Sequence, residues 1–444
     1  MRRAPLAGFR ARAVAAAEPN RSLLANAGSM LGASLVTSIL GAVFWFVAAH
    51  DFSREAVGVG SAAVSAMTLL GFMASFGLGT LLMGELPRRE AGHRSLLNAA
   101  LVVSGLGGCA LGLAFALLAP LVSSNLDDLQ GSLVAISLFA AGAGLTALGL
   151  VLDQALIGLL RGTLQLLRNF AFAAIKLLAL VAIALLIADA GATWIYSAWT
   201  VGIALSLLVL VRFYKRREGD RLRPDFASLR GMRGSAASHA SVNLGLETAD
   251  LAMPVIVVML LSPAENASFY IAWMIVGFLT MVPFSLSTVA YAIGSGDTEA
   301  SAARLRFTLS LSLLFALLAC LVLLPAASPL LGVFGESYSD AATVPLQIMA
   351  LGVFPLTVKT HYVAIRRVER RLGRALPLVW AGTMLELGGG ALGAALGGLS
   401  GVAWGWLAGL AVEAVAMSGP VLRTVGRGGG RGGPAPRELS ETAR

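Results

Sequence analysis

Residues 194–223 read WIYSAWTVGIALSLLVLVRFYKRREGDRLR: a run without a single charge from Trp194 to Val211, ending in a cluster of Arg212, Lys215, Arg216, Arg217, Arg221 and Arg223. An apolar run of about 20 residues spans the hydrocarbon core of a bilayer as a helix. Lys and Arg gather at its cytoplasmic end. The same unit recurs along the 444-residue chain. Twelve apolar runs are expected to span, at 27–49, 57–84, 95–122, 131–152, 169–188, 194–212, 236–261, 267–293, 305–327, 341–363, 375–397 and 400–422. Pro254, Pro283 and Pro355 are the expected kink points.

Basic residues alternate between the connections. The N-terminal stretch and the connections 85–95, 153–168, 212–234, 294–306 and 359–374, with the C-terminal stretch, hold 31 of the 33 Lys and Arg. The intervening connections hold Arg54 and carry Asp51, Glu55, Asp127, Asp128, Asp189, Glu265, Glu336 and Asp340 instead. This alternation places both termini in the cytoplasm and the chain in the cell membrane as a multi-pass protein. Composition agrees: 57% of residues are hydrophobic and 13% charged, against roughly a quarter charged in an ordinary soluble domain. A cytosolic enzyme, a secreted disulfide scaffold and a disordered chain are excluded. The net charge of +9 sits beside apolar runs, which fits membrane orientation and not nucleic acid. Cys109 and Cys320 lie far apart in apolar runs, and no His/Cys cluster has metal-ligand spacing. No Gly-x-x-x-x-Gly-Lys-[Ser/Thr] phosphate loop occurs, which removes ATP hydrolysis by that route.

Six runs on each side of a basic midpoint suggest a repeat. At an offset of 210, Phe52-Ser53-Arg54-Glu55-Ala56-Val57-Gly58 falls opposite Ser262-Pro263-Ala264-Glu265-Asn266-Ala267-Ser268, and Ser75 falls opposite Ser285. The pairs Arg161/Arg168 and Arg367/Arg374 are each seven apart in equivalent connections. The expected fold is therefore an all-α integral membrane protein. Its twelve transmembrane helices form two six-helix lobes, related by a pseudo-two-fold axis along the membrane normal. The segments are a basic cytoplasmic N-tail (1–26), an N-lobe (27–212), a basic linker (213–235), a C-lobe (236–422) and an Arg/Gly-rich tail (423–444).

The run Leu31-Gly32 through Phe44-Trp45-Phe46, the stretch 52–58 and Phe76-Gly77-Leu78-Gly79 resemble the opening of the polysaccharide-export flippases. That family belongs to the multidrug/oligosaccharidyl-lipid/polysaccharide exporter superfamily. Asp250 followed by Ala264-Glu265-Asn266-Ala267-Ser268-Phe269-Tyr270 resembles its second-half signature, and Gly158-Leu159-Leu160-Arg161 to Arg168-Asn169 is similar as well. The likeness runs over residues 23–422. It implies a transporter, not an enzyme, that flips an oligosaccharide repeat unit on undecaprenyl pyrophosphate to the outer leaflet by alternating access. The implied partners are this lipid-linked substrate, membrane lipids and other polysaccharide-assembly proteins, with no nucleic acid and no cofactor beyond a coupling Na⁺ or H⁺. Two alternatives stay open: a cation-coupled multidrug exporter of the same superfamily, and a membrane glycosyltransferase, polymerase or ligase.

Few ionisable residues fall inside spans, where each costs about 2.5–3.5 kcal/mol on insertion scales. His239, Asn243, Glu247, Asp250 and Pro254 are spaced 4, 4, 3 and 4 and form one helical stripe. Two carboxylates one turn apart do not ionise together without a cation or a proton, so Glu247 and Asp250 are candidates for ion coupling, against a bland role in an interhelical network. His239 and Asn243 extend the stripe as candidate cavity residues. By general resemblance to the lipid II flippases, Glu386 and Glu413 in spans eleven and twelve would join span seven around one Na⁺; otherwise each glutamate has a Ser or backbone partner. Lys176, Arg168 and Arg161 fall roughly on one helix face, and for a pyrophosphate cargo they are the candidate cationic track. Ordinary positive-inside placement, or snorkelling for Lys176, is the plainer reading. Trp194 and Trp199 are expected in the interfacial belt, and Trp273, Trp380, Trp404 and Trp406 in packing. The glycines between Gly388 and Gly405 are expected to bring the last two spans together.

Overall fold

The computed structural model describes residues 36–89, 92–213, 223–231, 233–293, 298–369 and 371–426, and among these every regular element is helical. The expected N-tail, residues 214–222 and 232 of the basic linker and residues 427–444 of the Arg/Gly-rich tail lie outside the described residues; the rest of the linker is largely helical, over 226–231 and from 233 on. The first half contains α1 (Val36–Asp51), α2 (Arg54–Ser75), α3 (Leu78–Glu85), α4 (His93–Val122), α5 (Leu133–Gly158), α6 (Gly162–Leu186) and α7 (Ala192–Phe213). A short α8 (Phe226–Gly231) leads into α9 (Arg233–Leu260), α10 (Pro263–Ile293), α11 (Thr298–Gly332), α12 (Glu336–Ala350), α13 (Val353–Val368) and α14 (Leu376–Gly426).

Among the described residues, nine helices are long and apolar enough to cross a membrane. One of them, α14, is two crossings: Gly397 and Gly398 leave helical geometry, and the chain folds back on itself there. The pair α12–α13, bent by 44°, makes one broken crossing, and α1 is the described part of the first apolar run. With α14 taken as two arms, the bent pair as one and α1 as part of one, the described helices correspond to the twelve expected runs.

Helix boundaries follow local chemistry. Ser53 and Ser132 cap α2 and α5 by accepting the backbone N–H of the residue three further on, at 3.1 and 3.0 Å. At α10, Ser262 accepts from the Glu265 N–H at 3.2 Å while its own hydroxyl donates to the Glu265 carboxylate at 2.8 Å. Several expected boundaries are corrected. The run 57–84 is broken, because Phe76 and Gly77 both take left-handed φ (46° and 71°) and start a separate α3. The connection 153–168 shrinks to three residues, since α5 continues to Gly158 and α6 begins at Gly162. The connection 359–374 loses its first half to α13, which places Lys359 inside a helix. Pro254 and Pro283 sit within continuous α9 and α10. Span ten breaks at Leu351–Gly352 instead, with Pro355 in the first turn of α13, where its missing N–H has no helical partner to lose.

The helices α1–α7 and α9–α14 form two bundles. They join along α2, α9 and α10, at the face whose loops carry the acidic residues. There Arg54 Nη2 donates to the Ala264 carbonyl at 3.2 Å and to Ser268 Oγ at 2.7 Å, and its guanidinium lies 5.6 Å from the Tyr338 ring centre. Asn266 Nδ2 returns to the Gly58 carbonyl at 2.7 Å. Asn125 Nδ2 donates to the Val258 and Leu261 carbonyls at 2.9 and 3.2 Å. A Cβ at Gly58 would run into the Pro263 carbonyl, so only a glycine lets α2 and α10 meet this closely. Towards the opposite, basic face, a cavity of about 320 Å³ opens between the bundles, lined by Phe72, Phe76 and Thr80 from one and Ser241, Asn243 and Leu244 from the other.

Candidate functional site

The N-lobe holds one buried amine among the described residues. Lys176, midway along α6, is 4% exposed. Its Nζ lies 3.5 Å from the ring centre of Trp199, 4.7 Å from that of Phe172 and 5.2 Å from that of Phe44. Among the described residues no carboxylate lies within ion-pair distance of it. Aromatic faces attract a cation through their quadrupoles, so the cage favours the ammonium form against the cost of burial. The cage reaches the lobe interface: Trp199 packs on Trp45 at 6.5 Å, and Trp45 on Tyr270 of α10 at 4.6 Å. Trp199 therefore serves this cage and not the interfacial belt, whereas Trp194 is exposed at the start of α7.

The expected cationic track along α6 divides. Arg168 is bound by both oxygens of Asp153 on α5, with Nε–Oδ1 at 2.7 Å, and also donates to Asn169. This two-pronged pair neutralises the guanidinium and ties α5 to α6. Arg161 is exposed at the start of α6 on the basic face. Among the described residues, Lys176 is thus the buried member of the trio whose charge is not matched by a carboxylate.

On α9 the stripe faces inwards. Asn243 lines the cavity between the lobes and accepts a hydrogen bond from Arg367 Nη2 at 2.8 Å; the side chain of His239 lies outside the described residues. Glu247 and Asp250 line a second cavity of about 300 Å³ within the C-lobe, together with Trp273, Thr280 and Phe284 of α10, Lys359 and Thr360 of α13, and Glu386 and Trp406 of α14. Trp273 Nε1 donates to the Asp250 carbonyl at 3.1 Å. No cationic side chain among the described residues comes within ion-pair distance of Glu247 or Asp250.

Glu386 and Glu413 come together, but around a side chain. Lys359 Nζ lies 2.6 Å from Glu386 Oε1 and 3.0 Å from Glu413 Oε2, and all three side chains are at most 3% exposed. Trp406 Nε1 donates to Glu386 Oε2 at 3.0 Å. Two partners at these sites are not distinguished by their sequence neighbourhood. Lys359 falls in the basic connection by position, although six uncharged residues, Thr360 to Ile365, separate it from Arg366. Asp153 falls at the edge of a connection by position, although it stands 15 residues before its partner across a tight turn.

The family model MatE matches residues 243–379. No curated protein matches the chain. Among solved structures, an inward-facing conformation of a multidrug resistance MATE family transporter of the MOP superfamily aligns with a TM-score of 0.70 at 14% identity, covering 88% of this chain and 95% of that one. The fold is that of the MOP-superfamily transporters. The lipid II flippase MurJ in an inward closed conformation aligns with a TM-score of 0.62 at 13% identity, covering 89% of each chain. An outward-facing MATE family transporter aligns with a TM-score of 0.57 at 14% identity, covering 89% of this chain and 96% of that one. The better fit to an inward-facing form matches the geometry, in which the lobes are latched at the acidic face and parted towards the basic one. These relatives in fold are transporters and a flippase, not glycosyltransferases, polymerases or ligases.

Proposed function

We propose that the protein is a cell-membrane transporter that flips an oligosaccharide on a pyrophosphate-linked polyprenyl carrier, by alternating access, from the basic, cytoplasmic side to the outer leaflet. The supporting observation is Lys176: a buried amine at mid-span with aromatic neighbours and, among the described residues, no acid to neutralise it. Burying a cation is costly unless something compensates it. An anionic cargo passing between the lobes supplies that compensation, and the arginines of the basic face, Arg161, Arg366 and Arg367, gather anions at the entrance. The sequence likeness to polysaccharide-export flippases points the same way. In this cycle the cargo enters the cavity beside Phe76 and Asn243, the Arg54–Ser268 latch releases, and the lobes part at the acidic face. No covalent bond is made or broken.

A second reading has its own support. The C-lobe cavity places Glu247 and Asp250 beside Trp273, Phe284 and Trp406, a combination of acid and aromatic faces that suits an organic cation. A deletion strain separates the two readings. Accumulation of intact lipid-linked oligosaccharide on the cytoplasmic side supports the flippase. Normal surface glycan with new sensitivity to cationic drugs supports the exporter and refutes the flippase.

A further inference from the structure

We propose that Lys359 is a built-in cation that occupies the place between Glu386 and Glu413, so that this acid pair takes up a proton at Glu413 and does not bind an alkali metal ion. The inference deepens the transporter reading by naming the ion for one acid pair, and it holds for either cargo.

The geometry is that of a filled site. The ammonium touches an oxygen of each carboxylate, at 2.6 and 3.0 Å. A cation coordinated by Glu386 Oε1 and Glu413 Oε2 together would have to stand where Nζ stands. Glu386 is fully engaged, with Lys359 on one oxygen and Trp406 on the other. Glu413 is not: both its oxygens are buried, and neither forms a hydrogen bond of good geometry despite the nearby ammonium. Two carboxylates and one ammonium leave one negative charge over. Inside a bundle such a charge is not tolerated without a partner. A proton on Glu413 balances the cluster and turns one of its idle oxygens into a donor.

Among the described residues the surrounding elements supply no other counter-charge. α9 presents Glu247 and Asp250 to the same cavity, which adds negative charge, and α10 presents Trp273 and Thr280. On α13, His361 lies two residues past Lys359, on the far side of the helix, and its Nδ1 is bonded to the Thr357 carbonyl. Of the described charged side chains, Arg306 of α11 and Glu336 and Asp340 of α12 stand near the N-terminal ends of those helices. On release, the O–H bond of Glu413 breaks, the electron pair stays on the carboxylate, and the proton passes to water in the cavity that Lys359 and Glu386 line.

Two measurements on purified full-length protein decide this without a transport assay, so their failure is separate from failure of the cargo assignment. Infrared difference spectra across neutral pH should contain a protonated-carboxyl band that is lost on raising the pH and missing in Glu413→Gln. Equilibrium binding of radioactive ²²Na⁺ should reveal no saturable site that depends on Glu386 or Glu413. A Lys359→Met variant that stays monodisperse should gain such a site, and Glu413→Gln, which leaves a neutral Lys–Glu pair, is the variant expected to fold regardless. A carboxyl band unchanged in Glu413→Gln, Na⁺ binding by the wild type that Glu413→Gln abolishes, or a folded Lys359→Met variant that gains no Na⁺ site would each overturn the proposal.

Discussion

Arg54 bonds to the carbonyl of Ala264, the residue that stands 210 positions further on and is its own counterpart in the second half of the chain. The two halves thus meet at their pseudo-two-fold axis through equivalent helix starts, α2 and α10. Because Arg54 also reaches Ser268 and Tyr338, one side chain ties one lobe to two helices of the other.

Removing that tie should shift the conformational balance. A hydrogen bond to a charged group contributes about 1.5–3 kcal/mol, so Arg54→Ala should favour opening of the acidic face roughly tenfold or more. Spin labels at Asp128 and Asp340, both exposed on that face, measure it. The distance distribution should move to longer values in Arg54→Ala, and an unchanged distribution would mean the latch carries no weight.

Asp153→Asn should destabilise the N-lobe. It leaves the buried Arg168 without its carboxylate, a loss of about 3–5 kcal/mol when a buried pair is broken on one side. The thermal midpoint in detergent should fall clearly. In the double variant Asp153→Leu/Arg168→Met, which removes both charges, most of the loss should be recovered.

The last hairpin depends on two crossing points, where Gly389 faces Gly405 and Gly393 faces Gly401. A Cβ at any of the four would press into the facing backbone carbonyl. Gly405→Val should therefore force the arms of α14 apart at a cost of at least 1–3 kcal/mol, about the usual penalty for overpacking. Gly388→Val, where a Cβ meets nothing, should be tolerated. Yields of monodisperse protein compare the two.

Outside the membrane, Asp225 caps α8. Its carboxylate accepts the Ser228 backbone N–H at 3.0 Å and the Ser228 hydroxyl at 2.6 Å, and these bonds hold its pKa below the ordinary aspartate value. A lowered folded-state pKa means the cap stabilises at neutral pH and is lost as pH falls through that lowered value. Protection factors of the amides in residues 226–231, with exchange normalised to the intrinsic rate at each pH, should fall on acidification in the wild type. In Asp225→Ala they should be low at every pH.

Crossing number and two-fold repeat were legible because both are written locally. Lys and Arg must stand at span ends, and the Arg54 and Ala264 stretches correspond by simple offset. The stripe from Asn243 to Asp250 was legible for the same reason, as it lies on one helix. What escaped depends on partners distant in sequence. Lys359 looks like a loop lysine until Glu386, 27 residues on, is folded against it. Trp199 looks like a belt residue until Lys176 and Phe44 are packed beneath its ring. Arg168 looks available to a phosphate until the short turn at 159–161 delivers Asp153 to it.

The most direct test is transbilayer movement itself. Purified protein is placed in vesicles with a fluorescent undecaprenyl-pyrophosphate oligosaccharide, and the fraction reachable by an impermeant quencher is followed with time. The account predicts protein-dependent movement of the label between leaflets, abolished or strongly slowed in Lys176→Gln. Movement no faster than in protein-free vesicles, or a Lys176→Gln variant as fast as the wild type, would contradict it.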